Sequence, residues 1–136
     1  PHVIAEWWIP EAGGKSVTAN WPTNTQSYEY SAEDILKWNP QVMVASTAKV
    51  VEEIKADARL AEVTAVEDNA LYGIPTVAHV WGNRTPEQPL TIMWLMNKLY
   101  PEIMSEEILS EEITNFYSTF FKTDLTEEQV AEIING

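Results

Sequence analysis

The sequence predicts an α/β fold: a three-layer lobe with a small, mostly parallel sheet flanked by helices and a helical carboxyl-terminal third. Three observations lead there. Val42-Met43-Val44-Ala45 is an unbroken apolar run of strand length, as expected for a strand buried on both faces, and Leu71 to Val77 is a second strand. Between them, Thr47 to Asp57 sets Val50, Val51 and Ile54 on one helical stripe. Strand, helix and strand then form a right-handed crossover with parallel pairing. Beyond Glu87 the apolar spacing is helical to the end. A chain of 136 residues is long enough to enclose one such core.

Each element has its own local reason. Ile4 to Ala12 carries Ile4, Trp7, Trp8 and Ile9 for a short helix that Gly13-Gly14 ends. Val17 to Ser27, with Asn20, Trp21, Pro22, Asn24 and Thr25, reads as an irregular loop leading to an extended piece at Tyr28 to Tyr30. Ser31 caps the next helix, Glu33 and Asp34 sit where its dipole favours acids, and Pro40 stops it near Trp38. Glu87 to Leu99 is apolar nearly all round and is expected to be deeply buried before Pro101 ends it. Ile113, Phe116, Tyr117, Phe120 and Phe121 give Glu111 to Lys122 a helical apolar face. The echo Ser105-Glu106-Glu107-Ile108-Leu109 and Ser110-Glu111-Glu112-Ile113-Thr114 reads as two helix-start signals rather than a repeat array. Thr126-Glu127-Glu128-Gln129 is a capping box for a last helix through Ile134.

Composition removes several functions. A net charge of −13 repels phosphate backbones and anionic lipid, so nucleic acid is not an expected partner. Without cysteine there is no disulfide, thiolate metal site or thiol nucleophile, and two histidines remain for metal or general-base work. No apolar run approaches the ~20 residues of a membrane span. An export signal, where the natural gene has one, is expected ahead of Pro1. Complete hydrolase-elbow, phosphate-cradling (Gly-x-x-x-x-Gly-Lys-Ser/Thr) and dinucleotide motifs are absent, so no catalytic residue and no enzyme activity is expected. Glu52-Glu53, Glu106-Glu107, Glu111-Glu112 and Glu127-Glu128 are adjacent on helices, point about 100° apart and belong to solvated faces.

The candidate site lies after the second strand, because open parallel sheets place ligands beyond the carboxyl ends of their strands. His79, Trp81 and Arg84 fall there. Loop tryptophans Trp21 and Trp81 are candidates for a ligand wall, whereas Trp38 and Trp94 sit at apolar helix positions and read as structural. The competing reading packs Trp81 on the core and leaves Arg84 solvated or paired with an acid. Trp7 and Trp8 stay open between the two roles. His2 and His79 are far apart and in no ligand-spacing motif, so no metal site is assigned.

The run Tyr30-Ser31-Ala32-Glu33-Asp34-Ile35-Leu36-Lys37-Trp38-Asn39-Pro40-Gln41-Val42-Met43-Val44 resembles the periplasmic binding proteins for ferric siderophores, haem and cobalamin. The resemblance continues through Ala65-Val66-Glu67-Asp68-Asn69-Ala70-Leu71-Tyr72-Gly73-Ile74-Pro75, the Trp81 to Pro86 loop, Trp94-Leu95, Leu99-Tyr100-Pro101-Glu102 and Phe116-Tyr117, and so covers essentially the whole chain. It implies that residues 1–136 are the carboxyl-terminal lobe of a two-lobed binding protein, with an amino-terminal lobe as partner. The implied function is non-enzymatic: an iron chelate (ferric siderophore), haem or corrinoid is captured outside the cytoplasmic membrane, in the periplasm or at the cell surface under a lipid anchor. It is then delivered to the permease of an ABC importer. The ligand is cargo, and no cofactor is implied. Glu33 matches the helix-start glutamate that docks on permease arginines; its alternative partner is Lys37 at i+4. Trp21, Trp81 and Arg84 match cleft-facing positions, with Arg84 suited to an anionic chelate. The sequence departs from the family at Gln41, where an acid usually follows Asn-Pro.

Two rival expectations stand beside this. One is direct coordination of a bare metal ion by His2, His79 and carboxylates within the same fold. The other is a ligand-free α/β interaction module whose acidic surface binds a basic protein.

Overall fold

The computed structural model describes residues 3–20 and 30–135. Trp21, His2, and most of the expected Val17 to Ser27 loop and Tyr28 to Tyr30 extended piece lie outside the described residues. The elements are α1 (Ala5–Glu11), α2 (Ala32–Trp38), β1 (Met43–Ala45), α3 (Ala48–Ala56), a 3₁₀ turn (Ala58–Leu60), α4 (Thr64–Glu67) and β2 (Leu71–Gly73). They are followed by α5 (Gln88–Leu99), α6 (Glu106–Phe116), a π turn (Tyr117–Phe121) and α7 (Glu127–Asn135).

β1 and β2 pair in parallel, Met43 with Leu71, Val44 with Tyr72 and Ala45 with Gly73. Because side chains alternate along a strand, this register sorts the strands onto two cores. Met43, Ala45 and Leu71 join Val51, Leu60, Val63 and Ala65 under α2, α3 and α4. Val44, Tyr72 and Ile74 face the larger core of Trp8, Trp81, Leu90, Trp94, Leu109, Ile113, Tyr117 and Ile134 under α1, α5, α6 and α7. Helix layer, sheet and helix layer is the three-layer architecture the sequence predicts.

Capping explains most helix boundaries. Ser31 and Asp34 form a reciprocal capping box on α2, and Asn39 closes that helix in the left-handed conformation (φ 44°). Thr47 caps α3 through the Val50 N–H (3.3 Å). Thr126 and Gln129 exchange the bonds of the expected capping box, at 2.9 and 3.2 Å. Gly13 takes φ 82° directly after α1, a conformation that costs a side chain dearly, and its carbonyl accepts the Tyr100 hydroxyl (2.9 Å).

Several expectations need correction. β1 is half-buried at Met43 and Val44 rather than sealed on both faces, since each strand of a two-stranded sheet has an open edge. β2 ends at Gly73, not Val77: Pro75 has no N–H for a ladder, and the chain turns back, pairing Thr76 with Val80 in an antiparallel bridge. Only Ser105 of the echoed pair opens a helix; Ser110 lies inside α6, its hydroxyl bonded to the Glu106 carbonyl (2.7 Å). α6 therefore starts five residues before Glu111, and the π turn after Phe116 breaks the apolar stripe. Tyr117 is buried, whereas Phe120 is 69% exposed. Trp8 belongs to the core and Trp7 is partly exposed, which separates the two residues the sequence left open.

Candidate functional site

Parallel pairing puts the carboxyl ends of β1 and β2 on one edge of the sheet. At that edge stand the Ser46-Thr47 turn that opens α3 and the segment from Ile74 to Glu87 that leads to α5. The Ile74 N–H donates to the Ala45 carbonyl (2.9 Å), which ties the departing chain to the end of β1.

The segment separates its residues into an outer and an inner set. His79 and Arg84 are exposed, and no ion pair holds Arg84 among the described residues. Trp81 is fully buried, which corrects the ligand-wall expectation and agrees with the core reading. Its N–H bonds the Pro75 carbonyl (3.0 Å), its carbonyl accepts the Thr91 hydroxyl (2.6 Å), and its indole Nε1 donates to Tyr117 Oη (3.0 Å). With both backbone groups and the ring satisfied inward, the indole has no face to offer a ligand. Gly82 lets this happen: its carbonyl accepts from Trp8 Nε1 (3.3 Å), and it packs against Ile74 and Trp8.

Glu87 is the residue that sequence reasoning missed. It is fully buried at the N-cap position of α5. Its carboxylate accepts the His79 backbone N–H (3.0 Å), meets His79 Nδ1 at 3.0 Å, and takes the Tyr117 hydroxyl at 3.5 Å. A buried carboxylate stands only when so surrounded by donors. The one available signal was its place before Pro89 at a helix start, where an acid is common.

Burial is the main reason the Tyr117 hydroxyl is pushed from 10.0 up to about 12. The folded protein therefore holds that proton more tightly than the unfolded chain does. The stability this contributes is present below about pH 10 and lost as pH rises toward about 12. Urea unfolding across that window should show a steeper alkaline loss in the parent than in Tyr117→Phe. The variant should also be less stable at neutral pH by about 1–3 kcal/mol, because the Trp81 N–H loses its acceptor. Parallel alkaline curves would refute the assignment.

Glu33 lies at the start of α2, exposed, away from this network. Hydrogen bonds from the backbone N–H at its own position and from the Ser31 hydroxyl hold its carboxyl below the usual glutamate value, and the charge of Arg59 adds to this. Arg59 itself is clamped by Asp57 at 2.6 Å. Glu33 thus presents a committed negative charge. The expected alternative partner, Lys37, forms no ion pair with it among the described residues.

Among the described residues no three His, Cys, Asp or Glu side chains gather where they could hold a metal ion. No described helix is long and apolar enough to cross a membrane. A shallow groove of about 450 Å³ between α5, α6 and the π turn is lined by Pro86, Pro89, Leu90, Met93, Phe116 and Phe120 among others, and is mainly apolar.

The fold is that of part of a periplasmic solute-binding protein. It superposes on one from Veillonella parvula with a TM-score of 0.82 at 21% identity, covering 98% of this chain and 42% of that one. An ABC transporter solute-binding protein from Sulfurospirillum deleyianum gives a TM-score of 0.78 at 23% identity, covering 93% and 40%. The molybdate periplasmic binding protein MolA of Haemophilus influenzae, the cognate protein of an ABC transporter, gives a TM-score of 0.77 at 27% identity, covering 91% and 38%. By sequence, MolA is 29% identical over 106 residues, 76% of this chain and 30% of its own length. No protein-family model matches the chain. The chain thus spans less than half the length of the relatives it matches. Of these relatives, the one whose solute is named binds molybdate, not a siderophore, haem or cobalamin.

Proposed function

We propose that this chain is the carboxyl-terminal lobe of an extracytoplasmic solute-binding protein that serves an ABC importer, and that its solute is a compact oxyanion of the molybdate kind. The observation that carries this reading is the 29% identity to MolA over 76% of the chain. The site chemistry supports it. With Trp81 in the core, the segment after β2 exposes no aromatic wall of its own for a flat macrocycle. What it exposes is Arg84, whose fork of N–H donors suits oxyanions, together with His79. The function is capture and delivery without covalent chemistry. An amino-terminal lobe supplies the opposite wall, and closure of the two walls removes the anion from water.

The test is calorimetric titration of the intact natural protein with molybdate, tungstate and sulfate, and in parallel with ferric siderophores, haem, cobalamin and free divalent metals. Saturable binding of molybdate, weakened about tenfold by Arg84→Ala, is the expected result. Binding of an iron chelate alone would replace this solute by the one the sequence resemblance implies. Binding of a free metal alone would favour direct coordination.

Docking on the permease is assigned to Glu33, which is exposed, anionic and at a helix start. Glu33→Lys should cut uptake in cells about tenfold or more and leave solute affinity unchanged. Undiminished uptake would reduce Glu33 to a helix-start acid.

A further inference from the structure

The Glu87 carboxylate is the one buried acid of the described residues, and every group that meets it is a donor or carries an exchangeable ring hydrogen. Trp81 Nε1 can only donate, so Tyr117 Oη accepts from it and turns its own hydrogen to Glu87. The His79 backbone N–H is likewise an obligate donor. Both of these donors reach Oε1 of Glu87, and His79 Nδ1 lies nearest Oε2 at 3.0 Å, so the hydrogen of that contact is placed on Nδ1.

That choice controls the other ring nitrogen. A hydrogen bond at one imidazole nitrogen fixes the role of the second. With Nδ1 held by the wholly buried Glu87 and the His79 side chain 52% exposed, Nε2 is the ring nitrogen left for a further partner. The same carboxylate holds the ring and the backbone N–H of residue 79, so ring and main chain are set together.

We propose that Glu87 is a positioning residue for solute capture: it accepts the Nδ1 hydrogen of His79 and turns Nε2 toward the solute. The ring then meets the solute with one fixed edge instead of rotating between contacts. This deepens the oxyanion reading above and rests on it. His79 then touches the solute while Glu87 does not, and the Tyr117–Trp81 pair locks Glu87 from behind.

The experiment is nitrogen-15 NMR of the imidazoles in the intact natural protein, with and without molybdate, the His79 signals being identified by their loss in His79→Gln. The expected spectrum has hydrogen on Nδ1 of His79 before solute is added, and the Nε2 signal moves on saturation with molybdate. Affinity should fall about tenfold in His79→Ala and by a comparable factor in Glu87→Gln. In Glu87→Gln the Nδ1 signature should also change, which a merely structural carboxylate would not produce. Should Glu87→Gln fail to fold, His79→Ala, a change at an exposed side chain, still decides the matter together with the parent spectra. Hydrogen on Nε2 with a bare Nδ1, or molybdate binding that leaves the His79 signals and the His79→Ala affinity unmoved, overturns this inference alone. Failure of the parent to bind any oxyanion overturns the proposed solute and this inference with it, whatever the spectrum of the free protein.

Discussion

Trp81→Ala destabilises the protein by about 3–5 kcal/mol, read as a lower urea midpoint with an unchanged slope. The indole is fully buried, and truncating it opens a large cavity in the main core and removes the N–H that the Tyr117 hydroxyl accepts. A loss of that size is a large part of the 5–15 kcal/mol that holds a typical domain together. Any effect on solute affinity would follow from partial unfolding and would vanish at temperatures where the variant is fully folded. The opposite pattern, a stable protein that no longer binds, would return Trp81 to the solute wall. Trp81→Phe refines the test, because it keeps most of the ring volume while removing the N–H that Tyr117 accepts.

The second large effect falls on Gly73, the last residue of β2. A Cβ built there would stand 2.9 Å from the Ala48 backbone nitrogen and 3.2 Å from Ala48 Cα and the Thr47 carbonyl carbon. These are backbone atoms of the turn that opens α3 and cannot swing aside. Gly73→Ala should therefore cost about 1–3 kcal/mol, and Gly73→Val more. Gly82 supplies the contrast. Its Cβ would come to 2.3 Å from Ile74 Cδ1, the end of a flexible side chain that a rotamer change can move. Thermal unfolding of the two alanine variants should rank Gly73→Ala below Gly82→Ala. The reverse ranking would mean that the turn before α3 yields more readily than Ile74.

Much of this fold is legible in the sequence. The crossover unit was readable because the strand-length apolar run Val42 to Ala45, the helical Val50-Val51-Ile54 stripe and the apolar start at Leu71 follow one another as strand, helix and strand. Capping residues were readable because Ser31 and Thr126 act within three residues of themselves. What failed is non-local or lies in small departures from period. Nothing near Ser110 announces that Ser105 has already started the helix. Nothing near Tyr117 announces a π turn, which exposes Phe120 at a position the helical stripe would bury. In the candidate site, the exposure of His79 and Arg84 followed from their loop. The inward turn of Trp81 did not, because it depends on Tyr117, 36 residues away, and on the space that Gly82 leaves. Glu87 was invisible for a related reason: a lone acid before a helix looks solvated unless its partners are known.

The partition of the two cores also sets an order of assembly. The smaller core draws only on residues between Ala32 and Leu71, one continuous stretch whose loops are short to close. The larger one joins Trp8, from α1, to Gly82 across 74 residues and Trp94 to Ile134 across 40, so both ends of the described chain must come home before it is complete. The crossover unit is expected to gather early, with the outer helices α1 and α7 arriving last and leaving first. Trp81, Tyr117 and Glu87 all sit in the late-forming part. On that order the surface that presents His79 forms late, and amide exchange at residue 79 should track the release of the terminal helices rather than the melting of the sheet.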